Sequence, residues 1–408
     1  MTKKKLLLCM PDLPFPARKN GISIRYYPII MRAREHFDIH LLVVANNGAA
    51  SETDIEGLNE AKSLCSEVSL YCRKPTKVSL GKKIFTRITS LIPTRTPFPE
   101  VRYDEEEIAS FIARSTKAKT YDVALCVLIP YQPLIKEIVS AKFYSLDVID
   151  SPYSTSVRKT EYSLIKKYDS WLVKIWERRI IRSVDRASYI SPLDRTLGAG
   201  LPADSQKVIV IPNGIFLQDY TEEKVDFGCN TIGYLGHMGY PPNIKAALRL
   251  HRIFQSRKHE MPNTKLVIIG RDPAQEIRAL GQEKDVIVTG TVDNIWPYIN
   301  GVDIFSFPME IGSGQQNKLL EAMGAGKLVI SSSLGNSGIG AKHQHEIIVA
   351  NTDKEVGDAL VSYLQRRVSI QDIGNKAQHF IYQHYSWDAI FNKIDHHLLN
   401  LQEQAQQI

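Results

Sequence analysis

The chain has 408 residues, of which 43% are hydrophobic and 23% are charged, and its formal net charge is +7. This length is sufficient for two domains with separate cores, and the composition is typical of a globular protein. No apolar run approaches the roughly 20 residues that span a bilayer, and no aromatic-and-basic recognition module indicates a nucleic-acid partner. The five cysteines form no CxxC pair, which is typical of a reducing cytoplasm.

Short apolar segments alternate with longer amphipathic segments in the first half of the chain. This alternation predicts a parallel sheet covered by helices. The N-terminal apolar run is too short for a signal peptide and is stopped by Pro11, so we interpret it as the first strand. A long helix is predicted from about Ser163 to Arg182. The predicted strands are Leu6–Met10, Ile39–Val44, Val68–Tyr71, Val123–Val127, Tyr144–Ile149 and Ala187–Ile190.

A second series of the same kind begins at Asn230 and predicts a second α/β domain. Its expected strands are Thr231–Leu235, Lys265–Ile269, Val286–Val288, Ile304–Phe307, Leu328–Ser331 and Ile347–Val349. We therefore predict domains at residues 1–205 and 206–385. Apolar residues at helical spacing in 386–408 predict a final helix that packs back on the first domain.

Positive charge is concentrated in the first half of the chain. Residues 1–205 carry 32 Lys and Arg against 23 Asp and Glu, a balance of +9. The excess is densest in residues 73–92, where Lys82, Lys83 and Arg87 interleave with apolar side chains. A helix of this composition suits the surface of an anionic membrane, but a packed helix with a solvated basic face would have the same pattern.

The most informative stretch, residues 311–330, reads IGSGQQNKLLEAMGAGKLVI. A glycine turn that leads into a helix lets backbone N–H groups approach a diphosphate, and Lys318 adds a full positive charge there. Glu321 lies about one turn further on, where its carboxylate can accept hydrogen bonds from a ribose. Solvated charges on an amphipathic helix after an ordinary turn remain the alternative. The turn and its polar continuation consist of Gly312, Ser313, Gly314, Gln315, Gln316 and Asn317.

Three further glycine-bearing loops follow predicted strands of the second domain. They contain Gly236 with His237, Gly270 with Arg271, and Gly290 with Thr291 and Val292. Because the carboxyl ends of parallel strands meet at one edge of a sheet, all four loops are expected at the same edge. Their convergence predicts a phosphate-bearing nucleotide as the ligand.

The order and spacing of these motifs resemble GT-B glycosyltransferases of the large retaining family 4 type. The most similar pattern is that of exopolysaccharide sugar transferases with a QNK-LEAM signature, which stands here at residues 316–323. The same pattern is matched by residues 14–16, 19–25, 147–151, 212–215, 236–243, 268–273, 288–292 and 385–387. The resemblance implies two Rossmann-like α/β domains that face each other across a cleft.

The resemblance also implies roles for individual residues. Lys318 and Arg271 would neutralise the donor diphosphate, and Glu321 would hold the ribose. The backbone at Thr291 and Val292 would contact the base. The turn residues Gly312 to Asn317, with Gly236, His237 and Gly270, would bind the phosphates or the sugar; Gly21, Arg25 and Asp150 would face the acceptor or the transferred sugar.

Two of these assignments have simpler alternatives. Asp150 precedes Pro152 and is equally suited to a turn or a helix cap. His237 is equally suited to filling space in its loop. One position departs from the family pattern, because Ser313 stands where many members have a glutamate that contacts the donor sugar.

The implied reaction is retaining transfer of a sugar from a UDP- or GDP-linked donor to a saccharide or lipid-linked saccharide. We expect no metal and no further cofactor, since no DxD pair suits a metal–diphosphate bridge. Surface polysaccharide synthesis in the cytoplasm, at the inner face of the membrane, is the implied setting. A nucleotide-sugar 2-epimerase of the same fold and a degenerate, non-catalytic binding subunit remain the alternatives.

Overall fold

Two parallel sheets organise the chain, and each lies at the centre of its own compact unit. The first unit comprises Met1–Pro212 with Ile390–Ile408, and the second comprises Asn213–Ala389. The computed structural model describes residues 3–17, 20–45, 52–73, 79–81, 85, 88–89, 96–98, 103–127, 129–158, 164–202, 205–216, 223–311, 314–365 and 367–401.

The sheet of the first unit has seven parallel strands in the order β3-β2-β1-β4-β5-β6-β7. Its central strands are buried on both faces, which explains why they appear in the sequence as continuous apolar runs. The strands are β1 (Lys4–Met10), β2 (Phe37–Ala45), β3 (Glu67–Cys72), β4 (Thr120–Cys126), β5 (Ser140–Ile149), β6 (Arg186–Tyr189) and β7 (Val208–Val210).

The helices of this unit pack on both sides of the sheet, as right-handed crossovers between parallel strands require. They are α1 (Gly21–Ala33), α2 (Glu52–Leu64), α3 (Glu105–Ser115), α4 (Gln132–Ile138), α5 (Pro152–Arg158), α6 (Leu164–Ser183) and α7 (Pro192–Gly198). Among the helices that the structure describes, none is long and apolar enough to cross a membrane.

The sheet of the second unit has six parallel strands in the order β10-β9-β8-β11-β12-β13. Its strands are β8 (Asn230–Leu235), β9 (Thr264–Ile269), β10 (Val286–Val288), β11 (Ile304–Phe307), β12 (Leu328–Ser331) and β13 (Ile348–Val349). Its helices are α8 (Pro241–Ser256), α9 (Gln275–Leu280), α10 (Trp296–Gly301), α11 (Asn317–Gly324), α12 (Ser333–Asn336), α13 (Asp353–Gln365) and α14 (Arg367–Tyr385). The last helix, α15 (Trp387–Lys393), begins in this unit and ends in the C-terminal part of the first unit, which starts at Ile390. The predicted α/β class with two Rossmann-like sheets is confirmed.

The strand order places a topological switch point between β8 and β11. From β8 the chain proceeds outward to β9 and β10, and from β11 it proceeds the other way to β12 and β13. Loops that leave two neighbouring strands in opposite directions open a crevice at the carboxyl edge of the sheet, which is where ligands bind in such folds. The loops after β8 and β11 are those singled out in the sequence.

The units divide at Pro212 and Ala389, a few residues later than the expected boundaries at 205 and 385. The first boundary is later than expected because β7 pairs with β6 and so extends the first sheet. The C-terminal segment lies on the first unit, where Ser145 Oγ donates to the Leu398 carbonyl. Asp395 accepts two hydrogen bonds from Arg32, at 3.0 and 2.9 Å, and fixes the segment further.

Candidate functional site

Backbone hydrogen bonds join the loops that follow β8 and β9 at the carboxyl edge of the second sheet. The amide of Gly236 donates to the Ile269 carbonyl at 3.0 Å, and the amide of Met238 donates to the Arg271 carbonyl at 2.9 Å. The predicted convergence of these glycine-bearing loops is therefore present in the second unit. They form a rigid rim beside the switch point.

Gly270 is required by this close approach of two backbones. Its φ is +153°, and a Cβ at this position would overlap the carbonyl oxygen of Gly236. No side chain can be placed there without separating the two loops. The predicted donor-binding role of Gly270 stays a prediction, but its position next to Gly236 has a clear packing cause.

Lys318 lies at the start of α11 and projects across the switch point toward the elements that follow β8. Its side chain is only 8% exposed. The Nζ atom donates to Asn243 Oδ1 at 2.5 Å and lies 3.4 Å from the hydroxyl of Tyr234. It also stands over the Tyr234 ring, 5.4 Å from the centroid, and 6.0 Å from that of Phe307. A single ammonium is thus held by one amide oxygen and two aromatic faces.

Burial lowers the pKa of Lys318 from its usual value to about 7, and the negative charge of Glu321 opposes this shift. An ammonium in an apolar environment is unstable unless an anion arrives to compensate its charge. The site therefore contains a cation whose protonation and stability both improve when an anionic group binds nearby. A diphosphate would supply such a charge.

The N-terminus of α11 adds partial positive charge to the same place. The first amides of an α-helix have no intrahelical acceptor, and the helix dipole favours an anion in front of them. The N-cap residue is Gln316, whose side chain makes no capping bond. Glu321 is half-buried about one turn beyond Lys318. The predicted pair of a lysine and a carboxylate on one helix is thus in place.

The polar residues before Lys318 make contacts that the sequence did not indicate. The Gln315 side chain accepts from the Asn213 amide at 2.6 Å and donates to the Asn213 carbonyl at 3.3 Å. Asn317 Oδ1 accepts from Asn213 Nδ2 at 3.0 Å. Both side chains thus hold the loop at Asn213, which gives them a structural role besides the predicted one. Gly314 has a φ of +64°, whereas Gly312 and Ser313 lie outside the described residues.

Exposed polar side chains line the rim near Lys318. His237 Nε2 lies 3.2 Å from Asp272 Oδ2, and Arg271 Nε lies 3.9 Å from the same carboxylate oxygen. Thr291 is exposed and Val292 is half-buried, directly after β10 and Gly290. The structure brings these residues to one edge of one sheet. It does not assign them to a ligand.

In the first unit, Asp150 is exposed at the carboxyl end of β5. The preceding residue, Ile149, has a φ of +63°, which is strained for a β-branched side chain. The turn after Asp150 is stabilised from the protein interior by Glu177, a fully buried residue of α6. It accepts hydrogen bonds from Ser151 Oγ at 3.0 Å and from the Tyr153 amide at 2.8 Å.

Glu177 also accepts a hydrogen bond from the Tyr189 hydroxyl at 2.7 Å. Burial raises the pKa of the Glu177 carboxyl above its usual value, and these three donors partly offset that effect. Gly198 leaves space for the hydrogen-bonded side chains of Glu177 and Tyr189, since a Cβ at position 198 would overlap both. A buried ionisable group with a shifted pKa marks this turn as a candidate functional region.

Arg25, which was predicted on the acceptor side, is buried in the first unit. Its side chain is 1% exposed, and its Nε donates to Asp147 Oδ2 at 2.7 Å. Its other nitrogens donate to the carbonyls of Ile211 and Pro212. These contacts give Arg25 a structural role inside the first unit, and its acceptor-side role stays a prediction. Gly21, by contrast, is exposed at the start of α1.

The sequence reasoning did not assign a role to Asn243 or Tyr234, although both contact Lys318. Asn243 Nδ2 donates to the His237 carbonyl at 3.0 Å, which fixes the direction of its oxygen. Asn243 belongs to the proline–asparagine pair that contributed to the family resemblance, so a signal was present. Tyr234 is an inward-facing strand residue and carried no such signal.

Comparison with known proteins agrees with this architecture. Residues 229–366 match the family model described as Glycosyl transferases group 1, and this match lies within the second unit. A curated relative, an uncharacterized 44.6 kDa protein in the cps region of Klebsiella pneumoniae, is 22% identical, with 96% of this chain and 98% of that protein covered.

Two solved structures share the fold over nearly the whole chain. Anabaena HepE in complex with UDP has a TM-score of 0.66 at 13% identity, covering 97% of this chain and 100% of that chain. Sucrose-phosphate synthase from Thermosynechococcus elongatus has a TM-score of 0.66 at 13% identity, covering 96% and 97%. The chain therefore has the GT-B glycosyltransferase fold, and residues 229–366 of its second unit match the group 1 glycosyltransferases.

Proposed function

We propose that this protein is a retaining glycosyltransferase that moves a sugar from a nucleoside diphosphate sugar to a saccharide or lipid-linked saccharide acceptor. The observation that carries the proposal is the buried ammonium of Lys318 at the switch point of the second sheet, at the N-terminus of a helix that also bears Glu321. Relatives of the same fold support a nucleotide sugar as the donor, since Anabaena HepE was solved with UDP and with UDP-glucose.

The chemical task of the site is to stabilise the nucleoside diphosphate as the bond to the sugar breaks. Negative charge then grows on the leaving phosphate, and Lys318 with the first amides of α11 offers fixed compensation. Arg271, exposed on the neighbouring loop, supplies a second cation. We infer that Glu321 accepts hydrogen bonds from the ribose and that the backbone at Thr291 and Val292 contacts the base.

We infer that the departing phosphate accepts the proton of the acceptor hydroxyl and that no metal is required. Asp150 would act on the acceptor side of the reaction, where its turn is held rigid by Glu177. The test is activity in the presence of EDTA, which should equal that in added Mg²⁺ or Mn²⁺. A strict metal requirement would refute this part of the proposal.

The setting we propose is surface polysaccharide synthesis at the cytoplasmic face of a membrane. The relative from a cps region supports the polysaccharide context. Peripheral contact through residues 73–92 belongs to the same proposal. Leu80, Phe85 and Ile88 of that segment are exposed, whereas Lys82, Lys83 and Arg87 lie outside the described residues.

The deciding experiment is binding of UDP, GDP and their sugars to the purified protein. Lys318→Ala and Glu321→Ala should each weaken binding of the preferred nucleotide by tenfold or more, since a charged hydrogen bond contributes about 1.5–3 kcal/mol. Lys327→Ala is the matched control, because Lys327 is another largely buried lysine of the second unit, with its Nζ on the Asn300 carbonyl. It should bind as the wild type does.

Product analysis separates the proposal from its two alternatives. Release of free nucleoside diphosphate with a glycosylated acceptor indicates transfer, whereas an isomerised nucleotide sugar would indicate a 2-epimerase. Failure of the folded protein to bind any nucleotide would favour a non-catalytic subunit.

A further inference from the structure

Helix α6, Leu164–Ser183, presents an apolar face to solvent over its first two turns. The exposed fractions of its side chains are 84% for Leu164, 70% for Ile165, and 44% for both Tyr168 and Trp171. Positions 164, 168 and 171 recur at i, i+4 and i+7, so they share one side of the helix. Large apolar side chains gathered in this way mark an interaction surface.

The exposure is not a sign of a loosely attached helix. From Leu172 onward α6 is anchored in the core of the first unit, where Leu172, Trp176 and Ile180 are all buried. The same part of the helix carries Glu177, which accepts hydrogen bonds from Ser151 and the Tyr153 amide. The helix is thus packed firmly over its later turns and presents aromatic and aliphatic side chains to solvent over its first two turns.

Basic side chains outnumber acidic ones along α6. Residues 164–183 contain six basic and two acidic side chains, and one of the acidic ones is the buried Glu177. Lys166 and Lys167 are exposed between the apolar positions. Lys174 lies at the edge, with its Nζ 5.2 Å from the centroid of the Tyr153 ring. Basic side chains around an apolar centre complement a surface of anionic headgroups over hydrocarbon.

The two aromatic residues strengthen this assignment. The rings of Tyr168 and Trp171 stack, with centroids 5.5 Å apart and an interplanar angle of 27°. Tyrosine and tryptophan are the residues that favour the boundary between headgroups and acyl chains, because each has an apolar body and a polar atom. A protein partner would need a complementary surface, whereas a bilayer accepts this combination directly.

We propose that the exposed face of α6, formed by Leu164, Ile165, Tyr168 and Trp171 with its flanking lysines, docks on the surface of an anionic lipid bilayer. This inference rests on the proposed function and deepens it. The helix that meets the lipid is also the helix whose Glu177 holds the turn at Asp150. A lipid-linked acceptor would therefore be received by the part of the first unit that is fixed to the membrane.

Trp171 provides a direct optical test. The other three tryptophans of the chain, Trp176, Trp296 and Trp387, are buried, so only Trp171 should respond to lipid. The vesicles contain phosphatidylcholine with about 30% anionic phosphatidylglycerol. Adding them should shift the emission of Trp171 to shorter wavelength. Brominated acyl chains should quench it. Trp171→Phe should bind in flotation assays without the spectral change.

A matched pair of substitutions tests the surface itself. Ile165→Glu should weaken binding to these vesicles by about tenfold or more, because one buried isoleucine side chain accounts for at least that factor. Ile55→Glu makes the same change at an exposed isoleucine of α2, and it should bind as the wild type does. Replacing both Lys166 and Lys167 with glutamine should weaken binding at low salt and flatten its salt dependence.

Three results would overturn the proposal: no binding to anionic vesicles, equal binding by Ile165→Glu, or concentration-dependent dimers that shift Trp171 emission without lipid. The last would mean that a second copy covers the face. Binding of the preferred nucleotide sugar is measured on the same preparations without vesicles. Loss of lipid binding alone contradicts only this inference, and loss of nucleotide binding contradicts the proposed function.

Discussion

The Nζ atom of Lys318 lies 2.5 Å from Oδ1 of Asn243, across the switch point of the second sheet. The two residues come from different helices, α11 and α8, which follow the two strands whose connections diverge there. Asn243 is itself fixed by its hydrogen bond to the His237 carbonyl. The position of the Lys318 ammonium is therefore defined before any ligand binds. Preorganised charge of this kind is more effective than charge on a mobile side chain.

Donor affinity should depend on pH through Lys318. Its pKa in the free protein is about 7, and a bound diphosphate raises that pKa by favouring the charged form. Below pH 7 the lysine is protonated before and after binding, so affinity is constant. Above pH 7 binding takes up a proton, and Kd should rise by up to about tenfold per pH unit.

The measurement is calorimetric titration with the nucleotide sugar that the protein prefers, because the diphosphate of a nucleotide sugar has no ionisation of its own in this range. Repeating it at pH 8 in buffers of different ionisation enthalpy gives the number of protons taken up, which should approach one. Lys318→Arg is the control, because arginine stays charged at every pH used. Proton uptake that persists in this variant would assign the effect to another group.

Two substitutions at Asn243 should shift the pH at which donor affinity begins to fall, and they should shift it in opposite directions. Asn243→Asp places a carboxylate beside the ammonium and raises the pKa of Lys318, so the loss of affinity should begin at higher pH. Asn243→Ala removes the acceptor and lowers that pKa further. The pH midpoint for binding of the preferred nucleotide sugar distinguishes the two variants. Shifts of the same sign would contradict a direct contact between Asn243 and Lys318.

The fold was predictable from the sequence because its strands are buried on both faces. The apolar runs predicted at Ile304–Phe307 and Leu328–Ser331 are β11 and β12 with the same bounds. The glycine-bearing turns were also predictable, since few residue types other than glycine suit a tight turn at the end of a strand. Both signals are local, which is why a single sequence contains them.

Contacts between distant positions were not predictable in this way. Arg25 and Asp147 are 122 positions apart, and Lys318 and Asn243 are 75 apart. A charged residue in a loop-rich region suggests a ligand contact, and only tertiary structure shows whether it is instead buried against a partner. Arg25 illustrates the first case, because its buried contacts appear only in the tertiary structure. Asn243 illustrates the converse, an uncharged residue that contacts Lys318.

The structural role of Arg25 predicts a loss of stability. Arg25→Ala removes one partner of a buried ion pair and leaves the buried Asp147 carboxylate with the hydrogen bonds from Tyr26 and Ser188. Such deletions lower the free energy of unfolding by about 3–5 kcal/mol. Urea denaturation should show the decrease. Arg25→Lys should also be destabilised, because one ammonium cannot replace the guanidinium that reaches Asp147 and two carbonyls.

The acceptor-side alternative makes a different prediction for the same variants. If Arg25 contacted an acceptor, Arg25→Lys would keep the stability of the wild type and raise the KM for the acceptor. If it is structural, the variants that remain folded at low temperature should have an unchanged acceptor KM. Comparing the two observables on one preparation separates the roles.

Glu177 should contribute to stability in a way that depends on pH. Burial raises its pKa in the folded protein above that in the unfolded chain. The folded state therefore holds a proton over a range in which the unfolded state has lost it. This contribution is fully present below the unfolded pKa and decreases as pH rises through the folded pKa. Glu177→Gln cannot ionise, so its unfolding free energy should lack that decrease.

The test compares urea denaturation of the wild type and Glu177→Gln between pH 4 and pH 7.5, a range that begins near the usual pKa of a glutamate. The stability of the wild type should fall relative to the variant as pH rises, and parallel curves would contradict the assignment. Glu177→Ala should lose about 2–4 kcal/mol, because the Tyr153 amide and the hydroxyls of Ser151 and Tyr189 lose their acceptor. Because these bonds hold the turn at Asp150, we also expect Glu177→Ala to lower kcat while nucleotide binding by the second unit is retained.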